Sequence, residues 1–200
     1  MKGTIRVGIG GWTFEPWRKT FYPKDLPQSR ELEFASRQLT SIEINATFYR
    51  LQKAESFARW YGEAPDSFVF ALKGSRYVTH RPTLAEAGAA IERFFASGVM
   101  KLKEKLGPIN WQFPPTKRYD ASDFEAFLKL LPKTIEGRPV WHAVEVRHES
   151  FGTAEFVELL RSYRVGAVFT DKGEFPQIPD ITSSFVYARL QRSSKEEESG

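Results

Sequence analysis

The clearest chemical signal in the sequence is a carboxylate and an amide on one face of an apolar, strand-like segment. Side chains alternate along a strand, so Glu43 and Asn45 in residues 41–45 share one face. Ile42 and Ile44 take the opposite face. A carboxylate inside a sheet is costly unless it is paired or hydrogen-bonded. The segment therefore predicts a polar site rather than a purely structural strand.

The same alternation marks later segments, where polar residues again share an inner face near the strand end. Glu145 and Arg147 do so in residues 142–147, and Asn110 and Tyr187 lie on the inner faces of two other segments. The residues predicted to meet at this end are Glu43, Asn45, Lys73, Gln112, Glu145, Arg147, Asp171 and Arg189, with His80 and His148 on loops at the same rim.

Acid–base catalysis needs titratable groups in different environments, and this set contains such groups. We predict that Glu145, held by Arg147, orients the substrate while Glu43 acts as base or acid, with Lys73 or His80 as its partner. The predicted catalytic residues are Glu43, Glu145, Lys73 and His80. The predicted substrate-binding residues are Asn45, Trp12, Tyr49, Gln112, Arg147, His148, Asp171 and Arg189.

Basic residues on the same strand ends and loops indicate the kind of ligand. They are Lys73, Arg76, Arg81, Lys117, Arg118, Arg147, Arg189 and Arg192. Guanidinium forks match phosphate and carboxylate geometry, so a small anionic or sugar-like substrate is expected. The glycines of residues 8–11 lack the spacing of a nucleotide-binding phosphate loop, and no cofactor is evident.

Several alternatives stay open. The basic residues at the strand ends, together with aromatic residues such as Trp12 and Tyr49, could bind nucleic acid. Alternatively, the charged residues could form a structural ion-pair network in a non-catalytic binding protein. In such a network Glu43, Glu145 and Asp171 would pair with the three nearby cations. A divalent metal could use these carboxylates and His148, although the interleaved lysine and arginines oppose a cation. His142, early in its segment, is predicted to be structural.

Composition limits the class of protein. The chain has 200 residues, 41% of them hydrophobic, and a net charge of +4, which fits one globular domain without a strong nucleic-acid signal. It has no cysteine, so disulfides and thiolate sites are excluded. No apolar run approaches the roughly 18 residues of a membrane helix, and no secretory signal is visible, so we expect a cytoplasmic protein.

Strand-like and helix-like segments alternate along the chain. Strands are predicted at 5–9, 41–45, 68–73, 108–112, 142–147, 165–170 and 185–190. Helices are predicted at 28–38, 54–63, 84–95, 120–131 and 153–163, with a further turn or two at 100–105. Such alternation favours parallel βαβ units, and seven strands suit a TIM-barrel-like (β/α) barrel. One domain is expected over 1–192, followed by a flexible polar tail at 193–200.

An ordered set of short motifs resembles the DUF72 (YecE-like) family over nearly the whole chain. The most recognisable segment is Glu43-Ile-Asn-Ala-Thr-Phe-Tyr-Arg50. Further matches are Gly10-Gly11-Trp12, Trp17-Arg18, Phe21-Tyr22-Pro23, Leu26, Phe70-Ala-Leu-Lys73, Thr79-His80, Gln112-Phe-Pro-Pro115, Glu145-Val-Arg-His148, Asp171 and Tyr187-Ala-Arg-Leu190. The resemblance implies a TIM-barrel-like domain, in a family whose biochemical activity is not established.

Two departures from the family pattern shape the expectations. The family usually has Arg-Leu-His-Gly after the seventh strand, whereas this chain has Arg189-Leu190-Gln191-Arg192, so no histidine role is expected there. The family also usually continues into another strand and helix. We therefore expect the last β/α unit of the barrel to be missing from this sequence.

Overall fold

The computed structural model describes residues 3–192, and the predicted tail at 193–200 lies outside them. Its strands are β1 (Gly8–Gly10), β2 (Ser41–Ile44), β3 (Val69–Lys73), β4 (Leu106–Gln112), β5 (Thr134–Ile135), β6 (Arg138–Pro139), β7 (His142–Glu145), β8 (Gly166–Thr170) and β9 (Tyr187–Arg189). Its helices are α1 (Glu31–Gln38), α2 (Ala46–Tyr49), α3 (Ala54–Glu63), α4 (Arg76–Thr79), α5 (Gly88–Ala96), α6 (Ala121–Leu130) and α7 (Ala154–Tyr163).

Seven of the strands form one sheet in the order β1-β2-β3-β4-β7-β8-β9, with every neighbouring pair parallel. β5 and β6 form a separate antiparallel hairpin. Parallel strands in chain order require crossover connections, and helices supply most of them. Between β8 and β9 the described chain has no helix.

The sheet is strongly curled. Glu43, next to the end of β2, accepts a 2.6 Å hydrogen bond from the hydroxyl of Tyr187 in β9, although four strands separate β2 from β9 in the sheet. A flat sheet with strands about 4.8 Å apart would hold these residues far from each other. The curl and the helix-covered parallel strands make this a TIM-barrel-like α/β fold, which confirms the predicted fold class.

The core lies between the outer face of the sheet and the helices. Phe57 of α3, Phe124 of α6 and Phe156 of α7 are at most 1% exposed, and aromatic edge-to-face contacts connect the last two. Full burial of such a side chain contributes about 1.5–3 kcal/mol. The helices are therefore fixed on the sheet by their apolar stripes, which leaves the inner strand ends free to carry polar groups.

Trp111 of β4 lies on the outer face of the sheet and contacts two neighbours, His142 and Gly74. Its indole nitrogen donates a 3.1 Å hydrogen bond to Nδ1 of His142, whose Nε2 lies 2.8 Å from the carbonyl of Pro132. His142 is therefore a neutral ring that donates through Nε2, and burial lowers its pKa to about 4. Gly74 lies directly against this indole, where a Cβ would come within 2.1 Å of a ring carbon. The structural role predicted for His142 agrees with these contacts.

Most predicted elements are present with shifted ends. β1 begins at Gly8 rather than residue 5, and Ile5 and Val7 are 86% and 64% exposed. The cause is local, because the amide of Val7 donates to the side chain of Thr40 instead of a neighbouring strand backbone. β9 is likewise confined to three residues.

The helix predictions need similar adjustments. The predicted helices at 28–38 and 84–95 each begin with a 3-10 turn, Gln28–Arg30 and Leu84–Glu86, before the α-helix starts. The turn predicted at 100–105 is a 3-10 helix over Val99–Lys105. The short helices α2 and α4 are not among the predicted elements, since four residues are too few to show a helical period. No helix within residues 3–192 is long and apolar enough to cross a membrane.

Candidate active site

The register of the sheet brings polar side chains together in neighbouring layers at the carboxyl ends of its strands. Lys73 pairs in register with Asn110, Gln112 with Glu145, and Thr170 with Arg189. Side chains from five strands therefore meet at one end of the curled sheet, the end at which barrels of this kind carry their sites. We call the group formed by Glu43, Asn110, Glu145, Tyr187 and Arg189 the carboxylate cluster.

Two groups bridge the carboxylates of the cluster. Nη1 of Arg189 donates a 2.8 Å hydrogen bond to Oε2 of Glu145, and its Nη2 lies 3.2 Å from Oε1 of Glu43. The amide nitrogen of Asn110 lies 3.2 Å from Oε2 of both glutamates and donates to each. One guanidinium and one amide thus hold two buried carboxylates close together, which offsets part of their repulsion.

Glu145 is fully engaged. Nε and Nη2 of Arg147 both donate to its Oε1, at 3.0 and 2.7 Å, while Arg189 and Asn110 occupy Oε2. Burial alone would raise the pKa of this carboxyl, but the charges of Arg189 and Arg147 and the hydrogen bonds outweigh it and hold the pKa below its usual range. Glu145 is therefore a fixed anion that positions its neighbours.

Glu43 has a different environment. Its Oε2 accepts from the hydroxyl of Tyr187 and from Asn110, whereas its Oε1 is buried and accepts no hydrogen bond from residues 3–192. The 3.2 Å approach of Arg189 to Oε1 is an ion pair without hydrogen-bond geometry. Burial, followed by the charge of Glu43, raises the pKa of Tyr187 well above its usual range, so the phenol keeps its proton and donates it. One acceptor position on Glu43 is left unfilled.

Lys73 lies beside the cluster at the end of β3. The residue is 7% exposed, and Nζ lies 4.4 Å from the centroid of the Phe48 ring. Within residues 3–192 this ammonium has neither a hydrogen bond nor a carboxylate at ion-pair distance. Burial lowers the pKa of Lys73, and the nearby Arg189 and Arg147 act in the same direction against the two glutamates.

His80 and Tyr49 lie at the rim above Lys73. His80 follows the last residue of α4, is exposed, and packs edge-on against Phe48 with ring centroids 5.5 Å apart. Burial of part of the ring, together with the charges of Arg76 and Arg147, lowers the pKa of His80. Tyr49 is 57% exposed and contacts the edge of the Phe48 ring. Both residues are therefore exposed and pack against the ring that lies over the amine of Lys73.

Gln112 and Asn45 also lie near the strand ends. Gln112 is 6% exposed, and its side-chain oxygen is buried and has no hydrogen-bond partner among the residues that the structure describes. Asn45 immediately precedes α2 and is half-buried beside the glycines of β1, where a Cβ on Gly10 would come 3.2 Å from its amide nitrogen. The small residues of β1 therefore leave room next to Asn45.

Three predicted binding residues are engaged in local structure. The ring of Trp12 packs edge-on against Trp60, with centroids 5.5 Å apart. Both carboxylate oxygens of Asp171 accept backbone amides just after β9, at 2.7 and 3.2 Å. Nδ1 of His148 accepts the backbone amide of Ser150 at 3.1 Å and thus caps a short 3-10 turn. The structure does not bring these side chains into the carboxylate cluster.

The arrangement also bears on metal binding. In the described part of the chain, no group of three histidine or carboxylate side chains is placed to hold a metal ion. Asp171 and His148, which the sequence offered as potential ligands, are both occupied by backbone amides. The carboxylates of the cluster instead face two arginines.

Two members of the cluster are absent from the predicted set of site residues. Asn110 lies two residues before Gln112, and Tyr187 lies two residues before Arg189, so each was already placed on the correct face. Their position two residues before a predicted site residue would have identified them, because residues two apart on a strand point to the same face of the sheet. Residues one layer deeper than the strand end therefore complete the site.

The curled parallel sheet defines a TIM-barrel-like α/β protein, and its polar cluster is a candidate site at the strand ends where that fold usually carries one. The family model described as "Protein of unknown function DUF72" matches residues 6–200. The chain belongs to the DUF72 family.

Relatives and solved structures agree with this assignment. The chain is 26% identical over 165 residues to UPF0759 protein YunF of Bacillus subtilis, covering 80% of this chain and 56% of YunF. It is 26% identical over 150 residues to UPF0759 protein YecE of Escherichia coli, covering 74% of this chain and 50% of YecE. The chain thus spans about half the length of the curated relatives it matches.

Two solved structures have the same fold. A DUF72 family protein from Thermotoga maritima matches with a TM-score of 0.74 and 25% identity, over 98% of this chain and 77% of that protein. One from Enterococcus faecalis matches with a TM-score of 0.73 and 19% identity, over 94% and 70%.

Proposed function

We propose that this protein is an enzyme that uses acid–base chemistry on a small anionic or sugar-like substrate at the carboxyl ends of its strands. The observation that carries the proposal is the contrast between two neighbouring carboxylates. Glu145 has both oxygens engaged by cations and an amide, whereas Oε1 of Glu43 is buried and lacks a hydrogen bond within the described part of the chain. Paired carboxylates in unequal environments are the usual means of assigning proton transfer to one of them.

Glu43 is the group that would transfer the proton. A buried acceptor without a donor is costly, so a substrate proton directed at Oε1 would fill a position the protein leaves open. The hydrogen bond from Tyr187 fixes the other oxygen and the orientation of the carboxylate. Glu145 would act by holding Arg147 and Arg189 in place around the substrate.

The preference for an anion follows from the charges around the site. The two carboxylates are paired with Arg147 and Arg189, so a protonated Lys73 adds one positive charge more than these carboxylates balance. Its lowered pKa indicates that its surroundings do not favour this charge in the absence of a ligand. A phosphate, carboxylate or polyhydroxyl group would supply the missing acceptors.

The test combines a binding screen with a reaction assay. Thermal unfolding is followed with inorganic phosphate, glucose 6-phosphate, xylose and pyruvate, because a ligand of the native state raises the midpoint. Proton NMR in D2O then detects hydrolysis, isomerisation or proton exchange of any probe that binds. We expect turnover with at least one probe and its loss in Glu43→Gln, by about a hundredfold or more.

Two variants distinguish the roles. Glu145→Gln is expected to impair binding as well as turnover, whereas Glu43→Gln should retain the thermal shift. Glu125→Gln, which changes a half-buried glutamate of α6 away from the cluster, is the control. If both cluster variants keep wild-type binding and turnover, the assignment is wrong. A thermal shift without turnover of any probe would favour the non-catalytic binding protein.

A specific surface feature supports a second candidate, nucleic-acid binding. The guanidinium of Arg76 lies 5.9 Å from the Tyr49 ring and 5.8 Å from the Tyr77 ring, and the two tyrosines are 57% and 60% exposed. Exposed rings around an arginine can stack on bases. Binding of a fluorescent oligonucleotide that weakens steeply with salt, and is lost in Arg76→Ala, would support this candidate. An absence of binding at low salt would exclude it.

A further inference from the structure

We propose that the amine of Lys73 forms an imine with a carbonyl group of the substrate, which makes the substrate an aldehyde or ketone such as an aldose or a keto acid. This inference rests on the proposed function, since it names the substrate class of the same site. The observations that carry it are the placement of Lys73, the absence of any partner for its amine within residues 3–192, and its register position beside Asn110, which donates to Glu43.

The backbone around Lys73 is rigidly held. The hydroxyl of the buried Thr47 donates a 2.7 Å hydrogen bond to the carbonyl of Lys73. The amide of Gly74 donates to the carbonyl of Asn110 at 2.8 Å, and Lys73 itself pairs in register with Asn110. The side chain therefore starts from a fixed point next to the residue that bridges the two glutamates, and Phe48 covers one side of its amine.

Lys105 shows what a structural buried lysine looks like in this chain. It is 2% exposed, and its Nζ donates to the carbonyls of Tyr61 and Ala64, both at 2.8 Å, with Asp66 at 3.8 Å. Lys73 is buried to a similar degree at 7% exposure, but its amine has no such contact among residues 3–192. The amine of Lys105 is thus fixed by backbone carbonyls, whereas no acceptor among residues 3–192 holds the amine of Lys73, which leaves it available to a ligand.

The electrostatics of the site favour a nucleophilic amine. Burial and the neighbouring Arg189 and Arg147 lower the pKa of Lys73, so more of the amine is neutral near pH 7 than for a solvent-exposed lysine. Desolvation and adjacent cations are the two ways in which proteins activate lysine for Schiff-base chemistry. Glu43 and Glu145 oppose this effect and would stabilise the cationic iminium once it forms.

The step balances without any oxidant or reductant. The neutral Nζ of Lys73 adds to the carbonyl carbon, and a proton moves from nitrogen to oxygen to give a carbinolamine. The C–O bond then breaks, and the oxygen leaves as water with both amine protons. A proton from solvent adds to the imine nitrogen and gives an iminium, from which Glu43 can take a proton at the adjacent carbon to leave an enamine. Return of a proton from Glu43 to carbon regenerates the iminium, and one water molecule then hydrolyses it to the carbonyl compound, the neutral amine and the solvent proton.

Reductive trapping tests the imine directly on the full wild-type chain. The protein is incubated with pyruvate or glycolaldehyde in the presence of sodium borohydride, which reduces the C=N bond to a stable secondary amine. Peptide mapping by mass spectrometry then locates the adduct. We expect labelling at Lys73 about tenfold faster than at the exposed Lys101. Lys105 should remain unlabelled, because its amine is buried and hydrogen-bonded to two backbone carbonyls.

The variant Lys73→Arg keeps a positive charge but cannot form an imine, and it should lose the adduct while the protein stays folded by circular dichroism. Lys101→Arg is the matched control and should trap as the wild type does. Labelling of Lys73 no faster than that of Lys101 would overturn the proposal, even if Lys73→Arg proved unstable.

The result also separates this inference from the proposed function. Turnover that depends on Glu43 but survives in Lys73→Arg would leave the acid–base enzyme intact and reduce Lys73 to a charge that holds an anion. Trapping at Lys73 with no effect of Glu43→Gln on binding or turnover would instead contradict the role of Glu43. Each outcome therefore bears on one of the two proposals.

Discussion

The hydroxyl of Tyr187 and the carboxylate of Glu43 form a 2.6 Å hydrogen bond between strands that have four others between them in the sheet. The contact joins the two sides of the curled sheet across its interior. Arg189 makes a second connection between the same strands. The geometry of the site therefore depends on the curl of the sheet, and these contacts in turn help to maintain it.

Removal of this hydroxyl should be costly. Tyr187→Phe keeps the ring but takes a donor from a buried carboxylate, so we expect the free energy of unfolding to fall by about 1.5–3 kcal/mol in urea titrations. Tyr61→Phe is the matched control, because Tyr61 donates to the exposed Glu104 at 2.7 Å. That variant should change stability by less than about 0.5 kcal/mol. Equal losses in the two variants would contradict a special role for the cluster.

Glu145 should make the stability of the protein sensitive to acid. Its pKa is lower when folded than when unfolded, because Arg189 and Arg147 outweigh the effect of burial. The carboxylate therefore stabilises the fold above the usual glutamate pKa of about 4.3, and this contribution disappears as the pH falls through the lowered value. Glu145→Gln should be less stable than the wild type at pH 7. The difference should shrink towards pH 3 in urea titrations, and a constant difference would refute the argument.

His142 should contribute a second pH dependence in a different range. Burial lowers its pKa from 6.5 to about 4, so the unfolded chain binds the proton more readily between these values. Above pH 6.5 His142 is neutral in both states and does not lower the free energy of unfolding. On acidification to pH 4 its protonation in the unfolded chain lowers that free energy by about 3 kcal/mol. His142→Gln should flatten this part of the curve. An NMR titration of the His142 ring with a midpoint near 6.5 would show the argument to be wrong.

Substitution of two different glycines by alanine should change the stability of the protein in opposite directions. Gly74→Ala would place a Cβ 2.1 Å from the indole of Trp111, so overpacking should cost about 1–3 kcal/mol. Gly62 lies in α3, where an added Cβ would meet no atom within 4 Å, and Gly62→Ala should gain about 0.5–1 kcal/mol from helix propensity. Thermal unfolding midpoints should move in opposite directions. A neutral Gly74→Ala would mean that the indole can shift at little cost.

Strand alternation was sufficient to place the inner faces and the end of the sheet that carries the polar residues. Glu43, Glu145 and Arg189 meet there because side-chain direction in a parallel strand is fixed by sequence position alone. The contact between Glu145 and Arg147 was also expected from their spacing on one face. These features are local to each strand, and the sequence contains the information needed to predict them.

Partner choice could not be predicted in the same way. The sequence allowed three carboxylates to pair with three cations, but Asp171 binds backbone amides and Lys73 has no partner among residues 3–192. Which side chain reaches which depends on the curl of the sheet and on loop conformation. Neither property can be predicted from the alternation of side chains along a strand. The lack of a partner for Lys73 among residues 3–192 is therefore apparent only in the folded structure.

The separation of Tyr187 and Glu43 by 144 residues has a consequence for how the site comes into existence. Contacts so distant along the chain are among the last to form, because a long loop must close before they can contribute. A polypeptide emerging from the ribosome would hold Glu43 without the phenol that completes its surroundings until 144 further residues have been synthesised. Chemical competence at this end of the sheet would then arise only when folding finishes, so that labelling of Lys73 during refolding would time the final step of assembly.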